Sequence, residues 1–186
     1  MNLEKLRSTL KTELTHSWKR RLTALVRDVL VIVVLLTLVE AWQARDLASG
    51  SLPLKLETLP ELHGQSSATV SGSRYTLLYV FAPWCGVCKL SAPNLNRLQS
   101  LSLDVRALAL SWGEVSEVQA FVDRSGLNVP VLLGTSQEEE ALRIAAFPTH
   151  YLIAPDGKII KAWSGYTTTP GFYWKYATSS LLHALF

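Results

Sequence analysis

At 186 residues the chain is long enough for one domain of ordinary size plus an appendage, and such a domain can bury a core without covalent staples. The formal charge is +3, but Lys5, Arg7, Lys11, Lys19, Arg20, Arg21 and Arg27 stand against only Glu4, Glu13 and Asp28 in residues 1–28, so the remainder is near neutral and a nucleic-acid function has no electrostatic basis. The two cysteines, two residues apart, allow neither a multi-disulfide scaffold nor a four-cysteine zinc site, which leaves the chemistry of a Cys-x-x-Cys pair.

Residues 1–21 form a basic lead. From Leu22 to Trp42 runs a stretch whose centre, Val29 to Val39, is apolar apart from Thr37, and a helix of about 20 residues crosses a hydrocarbon core of about 30 Å. Arg27, Asp28 and Glu40 interrupt it, while Trp18 and Trp42 flank it like interfacial anchors. A buried helix of a soluble core is the rival reading, because the strictly apolar run is short. Lys19, Arg20 and Arg21 precede the span and only Arg45 comes closely after it, so the positive-inside rule leaves residues 1–21 in the cytoplasm and exports the chain beyond Trp42. Ala41-Trp42-Gln43-Ala44 offers no small-x-small cleavage site, which favours an uncleaved anchor over 22–42 rather than a signal peptide.

Residues 43–51 read as a linker and the domain proper as 52–186. The Ser-, Gly- and Pro-rich tract to residue 74 carries weak strand signals at Leu54 to Leu56 and Ala68 to Val70, the halves of a hairpin. Tyr75 to Ala82 is a near-continuous apolar run, the pattern of a strand buried on both faces. A helix begins after Cys85, with Pro93 predicting a kink. Asp104 to Leu110 alternates as a strand, and Val115, Val118, Phe121 and Val122 give helical spacing closed by Gly126.

Val129 to Leu133 is a short strand, and Ser136 with Glu139 predicts a capping box for a helix to about Ala145. His150 to Ala154 and Lys158 to Trp163 flank the turn Pro155-Asp156-Gly157, and Thr169-Pro170 starts a last helix toward Phe186. Trp163, Tyr166 and the Phe172-Tyr173-Trp174 cluster read as core or rim, with a partner groove as the rival. Alternating strands and helices ending in a hairpin point to an α/β fold, a mixed sheet covered by helices, with an N-terminal transmembrane helix.

The chemistry concentrates in Phe81-Ala82-Pro83-Trp84-Cys85-Gly86-Val87-Cys88-Lys89, where a buried strand gives way to a helix. A sulfur at the helix N-terminus meets unpaired N–H groups and the positive end of the dipole, which favour the thiolate that attacks disulfides. Cys88, three residues on, lies one turn deeper on the same face, placed to resolve a mixed disulfide. An inert bridge would close too short a loop to remove much unfolded-state entropy. Metal binding would need further soft ligands, and Met1 is the only methionine while His150 is the only histidine placed near the site.

Trp84-Cys85-Gly86-Val87-Cys88-Lys89 with Pro93 resembles thioredoxin's W-C-G-P-C-K and helix proline, and Phe147-Pro148-Thr149 resembles that fold's cis-proline loop. The segment 129–145, the anchor and Gly165-Tyr166-Thr167-Thr168 shift the resemblance toward TlpA-like thioredoxins, and within them toward the suppressor-of-copper-sensitivity D type, which also has Val before the second cysteine. The resemblance implies a thioredoxin-like domain in the periplasm on a single-pass helix in a bacterial inner membrane. It implies catalysis by Cys85 and Cys88, a partner-binding surface from Trp84, Gly86, Val87, Phe147, Pro148 and Thr149, and no cofactor or metal beyond the redox-active disulfide Cys85–Cys88.

Its expected partners are exported cysteine-containing proteins and a membrane electron-donor thiol protein, the latter implying a reductase. An oxidase and a non-catalytic copper-handling or interaction protein remain as alternatives. The chain departs from the pattern at two positions. Tyr79 stands where thioredoxin has a buried Asp, Ser91 where many TlpA-like reductases have Glu, and no acid occurs between Arg74 and Leu103. Deprotonation of Cys88 must then use water, His150 or a more distant residue.

Overall fold

The computed structural model describes residues 3–53, 56–64, 66–98 and 103–185, with side chains from Arg21 onward except those of Glu40 and Gln43. Trp18 therefore lies outside the described side chains. The chain forms two compact units, one up to Trp42 and the other from Gln43.

The first unit is built by helix α1 (Leu3–Ala44), whose last two residues belong to the second. Its segment Arg21–Val39, 19 residues, is long and apolar enough to be a candidate membrane span. Apart from Arg21 at its start, its two charges neutralise one another, since Arg27 Nη2 lies 2.9 Å from Asp28 Oδ1. The hydroxyl of Thr37 donates to the Val34 carbonyl at 2.8 Å, which satisfies the one polar side chain of the apolar centre.

The second unit is built on a six-stranded mixed sheet in the order β1 (Gly50–Ser51), β8 (Lys158–Ser164), β7 (Thr149–Ile153), β4 (Tyr75–Phe81), β5 (Leu103–Ala109), β6 (Val131–Leu133). β4, β5 and β6 run parallel, while β7 pairs antiparallel with both β4 and β8. The central strand β4 is buried on both faces, as its unbroken apolar run predicts. Leu77, Tyr79 and Phe81 face a core with Leu95 of α3 (Pro93–Asn96), Phe121 of α4 (Val115–Ser125) and Phe172 of α6 (Thr169–Leu185). Leu78 and Val80 face a second core with Leu56, Leu142 and Tyr151. This unit holds the whole sheet and both cores, so everything its packing requires lies within Gln43–Phe186.

Several boundaries differ from the expectation. Residues 43–51 are not a free linker. Leu47 and Ala48 are buried, and Gly50 and Ser51 pair with Ile159 and Lys158, because a short apolar pair next to an open sheet edge gains more by packing than by hydration. The hairpin forms between β2 (Thr58–Leu59) and β3 (Ser67–Ala68). It is locked to β5 by Arg106, which donates to Asp104, Ser67 and the Ala68 carbonyl. The predicted strand start at Leu54 falls on residues that are not described.

The capping box of α5 (Ser136–Ala141) sits one residue earlier than expected. Thr135 is the cap and its N–H donates to Glu138 Oε2 at 2.6 Å. Ser136/Glu139 has the same spacing, but Glu138 is the acid that the packing buries, and Thr135 is the first residue clear of β6 and its backbone bond from Gly134 to Ala109. The helix ends at Ala141, short of Ala145. Gly126, in the left-handed region at φ 65°, closes α4 as predicted.

Candidate active site

The cysteine pair sits at the C-terminal end of β4. Cys85 is the N-cap of α2 (Gly86–Ser91), extended at φ −78° and ψ 111°, and its Sγ accepts the N–H of Cys88 at 3.1 Å. A sulfur in this place takes the role that a Ser or Asp oxygen plays at ordinary caps, and in the reduced protein the same N–H favours the thiolate. The two residues form a disulfide with Cα atoms 5.2 Å apart. Cys85 retains 8% exposure and Cys88 none. Pro93 lacks an N–H and separates α2 from α3, so the helix carrying the cysteines is six residues long.

The surface around Cys85 is apolar. Trp84 is 68% and Val87 46% exposed, Gly86 is exposed and Phe147 half-buried. The Trp84 and Phe147 rings meet edge to face at 5.7 Å, and the indole N–H donates to the Ser111 carbonyl at 3.0 Å. Ser111 is held in the left-handed region at φ 54°, a position that nothing in the sequence around it announces. The Phe147–Pro148 peptide is cis. Pro148 and Thr149 are buried, and the Thr149 hydroxyl is occupied internally, bonded to the Ala146 carbonyl and to Ser164 Oγ. Of the six residues expected to form a partner surface, Trp84, Gly86, Val87 and Phe147 reach solvent.

The loop 165–168 explains how Pro148 is held. Gly165, at φ 94°, donates its N–H to the Pro148 carbonyl at 2.7 Å; only glycine takes that φ without strain. Asn94 of α3 donates to Tyr166 Oη and to the Thr167 carbonyl and accepts from Thr169. Trp163 Nε1 donates to Thr167 Oγ1 at 2.9 Å. Asn94 thus couples the helix after the cysteines to the proline loop, a role invisible in sequence because its partners lie more than 70 residues away.

Tyr79 and Ser91, at the two departing positions, converge behind Cys88. The Tyr79 hydroxyl donates to the Cys88 carbonyl at 2.9 Å, and burial raises its pKa well above the ordinary phenol range, partly offset by the Ser91 hydroxyl. It therefore stays protonated and acts as a donor. Ser91 Oγ is buried with no hydrogen bond that satisfies distance and angle. Because the Ala92 N–H also bonds the Cys88 carbonyl, Tyr79→Phe removes only one of two donors. It is expected to cost about 1 kcal/mol, read as a lower urea midpoint at unchanged m-value.

His150 is stacked 5.0 Å from Trp163, with Phe172 at 5.1 Å and Tyr79 at 5.3 Å. It has no exposure, and neither ring nitrogen makes a well-aligned hydrogen bond, the Trp163 backbone offering a weak one. Burial lowers its pKa to about 3, the Trp163 backbone opposing and the Lys175 charge adding to the shift. A histidine held neutral in this way is a poor proton acceptor for Cys88 at neutral pH, which leaves water or a distant residue. Among the described residues no group of three or more His, Cys, Asp or Glu converges as a metal site.

Comparison with known proteins agrees with this architecture. The chain is 33% identical over 95 residues, 49% of its length, to thiol-disulfide oxidoreductase ResA of Bacillus subtilis, and the match spans about half (53%) of ResA. Among solved structures it resembles StoA from Bacillus subtilis, at 21% identity and a TM-score of 0.56 over 63% of this chain and 94% of that one. It also resembles a secreted disulfide oxidoreductase of Mycobacterium tuberculosis, at 19% identity and a TM-score of 0.58 over 67% of this chain and 97% of that one. At such identities the structural matches establish the thioredoxin-like fold and nothing finer. The profile of the AhpC/TSA family, however, matches residues 55–162, more than half of the chain, and so, with its Cys-x-x-Cys pair at the end of a buried strand, the chain belongs to the AhpC/TSA family.

Proposed function

We propose that the chain is a thiol:disulfide oxidoreductase of the TlpA-like, suppressor-of-copper-sensitivity D type, tethered to the inner membrane by residues 22–42 with its domain in the periplasm. The observation that carries the redox reading is the asymmetry of the pair: Cys85, slightly exposed at the cap of α2, beside Cys88, wholly buried one turn in. In the reductive direction the Cys85 thiolate attacks one sulfur of a partner disulfide, forms a mixed disulfide and expels the partner's other thiolate. Cys88, once deprotonated, attacks Cys85 Sγ, releases the second partner thiolate and closes Cys85–Cys88, so two electrons pass to the partner. Trp84, Val87 and Phe147 supply an apolar seat for the partner, and the Pro148 loop aligns its backbone.

Reduction of exported proteins, with electrons from a membrane thiol protein, is the reading we favour. Oxidation is kept as the second direction because no carboxylate lies in residues 75–102, so only donors stabilise the reduced thiolate, which makes a disulfide more oxidising. A copper-handling role lacks a third soft ligand among the described residues. Redox equilibration of residues 43–186 with glutathione separates the directions. A midpoint near thioredoxin's, about −270 mV, supports the reductase, and one near DsbA's, about −120 mV, supports the oxidase. Failure of the pair to cycle reversibly between dithiol and disulfide would sink both.

A further inference from the structure

Helix α6 buries Phe172 and Ser179 against the sheet, yet Trp174, Leu181, Leu182 and Leu185 are 72%, 62%, 57% and 66% exposed. At 100° per residue these four side chains fall within a sector of about 100° that also holds Thr178, its hydroxyl tied to the Trp174 carbonyl, with Ala177 and Ala184 along one side. Such a stripe beside a tethered domain marks a contact surface.

Three observations identify its occupant. The chain beyond Asp156 contains Lys158, Lys161 and Lys175 and no Asp or Glu. Leu182 also lines an open groove of about 410 Å³ whose other walls include Lys158, Lys161 and His183, so the apolar stripe and a cationic groove are continuous. Finally, β1, the first strand of the domain, pairs with Ile159 and Lys158, so the chain enters the sheet beside this groove.

We propose that the stripe of α6 and the adjoining groove dock the domain on an anionic phospholipid surface. Trp174 and the three leucines enter the boundary between headgroups and acyl chains, and Lys158 and Lys161 meet the lipid phosphates. The sheet gives this placement a consequence for function. β8 runs parallel to β4, being antiparallel to β7 as β4 is, so Lys158 lies at the end of the sheet where β4 begins, while Cys85 lies just past the end where β4 stops. His183 likewise packs 6.3 Å from Tyr75, the first residue of β4. Helix α6 starts beside Asn94, near the cysteine pair, and reaches Tyr75 at His183, so docking on its stripe lays the helix along the lipid, with the cysteine pair at one end of the docked domain.

The inference rests on the membrane-tethered reading for its setting but concerns residues of the domain alone, and the test separates the two. Residues 43–186 are floated with vesicles of phosphatidylcholine, with and without phosphatidylglycerol. Co-flotation is expected only with the anionic vesicles. Lys158→Gln with Lys161→Gln should lower the partition by about thirtyfold, and Trp174→Ser with Leu181→Ser should abolish it; both pairs avoid buried positions, and urea unfolding checks that the fold is kept. No flotation, equal flotation on both vesicles, or a solution dimer that Trp174→Ser dissociates would overturn the proposal, the last by showing that a second copy covers the stripe. Alkaline carbonate extraction of the full chain reports the anchor separately: release from membranes refutes the tether and leaves the vesicle result standing.

Discussion

Replacing Cys88 by serine is expected to make the protein accumulate as mixed disulfides with its partners, whereas replacing Cys85 should yield none. The difference comes from access. Cys85 keeps slight exposure at the cap of α2, while Cys88 has none. With Cys88→Ser the attack on a partner still occurs and the resolving thiolate is missing, so the covalent intermediate persists. With Cys85→Ser the remaining thiol cannot reach a partner sulfur. Both variants should lose turnover by more than about 10³-fold, the scale of removing a covalent nucleophile. Non-reducing electrophoresis after acid quenching and alkylation reads the outcome, and trapping by Cys85→Ser instead would reverse the assigned roles. Both variants lack the disulfide, so a shared loss of stability cannot mimic a difference between them.

His150→Phe should flatten the acid limb of the stability curve. The native state holds His150 at a pKa of about 3, against about 6.5 in an unfolded chain. Above pH 6.5 both states are neutral at this residue and its contribution is complete. As the pH falls from 6.5 toward 3, the unfolded state takes up a proton that the native state refuses, and stability declines by up to about 1.4 kcal/mol per pH unit, in total about 4–5 kcal/mol.

Phenylalanine keeps the stacking against Trp163, Phe172 and Tyr79 and removes two buried nitrogens that make no well-aligned hydrogen bond, so at pH 7.5 the variant should be at least as stable as the parent. Urea unfolding of both proteins at pH 7.5, 6, 5 and 4 isolates the effect, because the carboxylates contribute equally and cancel in the difference. Parallel curves would show that His150 titrates normally in the native state.

Cysteine pair and histidine also mark how far the chain could be read without a structure. Cys85 and Cys88 announce themselves because their chemistry is local: a buried strand, a tryptophan, two cysteines three apart and a proline lie within one short segment, and strand end, helix cap and spacing are set by near neighbours. The same holds for β4, whose apolar run encodes burial on both faces, for α4 with its Gly126 stop, and for the turn at Pro155–Gly157.

Tertiary contact alone decided the rest. Gly50 and Ser51 carry no strand signal and became β1 because β8 offered an open edge. Thr135 rather than Ser136 caps α5 because packing selected which glutamate to bury. Asn94, Ser111 and the Tyr79 hydroxyl acquire their roles from partners 9 to 75 residues away. His150 reads in sequence as a strand residue pointing into the domain or solvent, with proton transfer as the lesser reading. Three aromatic rings from three different elements close around it, and since desolvation depends on everything that surrounds a group and not on its neighbours in the chain, no local pattern could have told that it is held neutral.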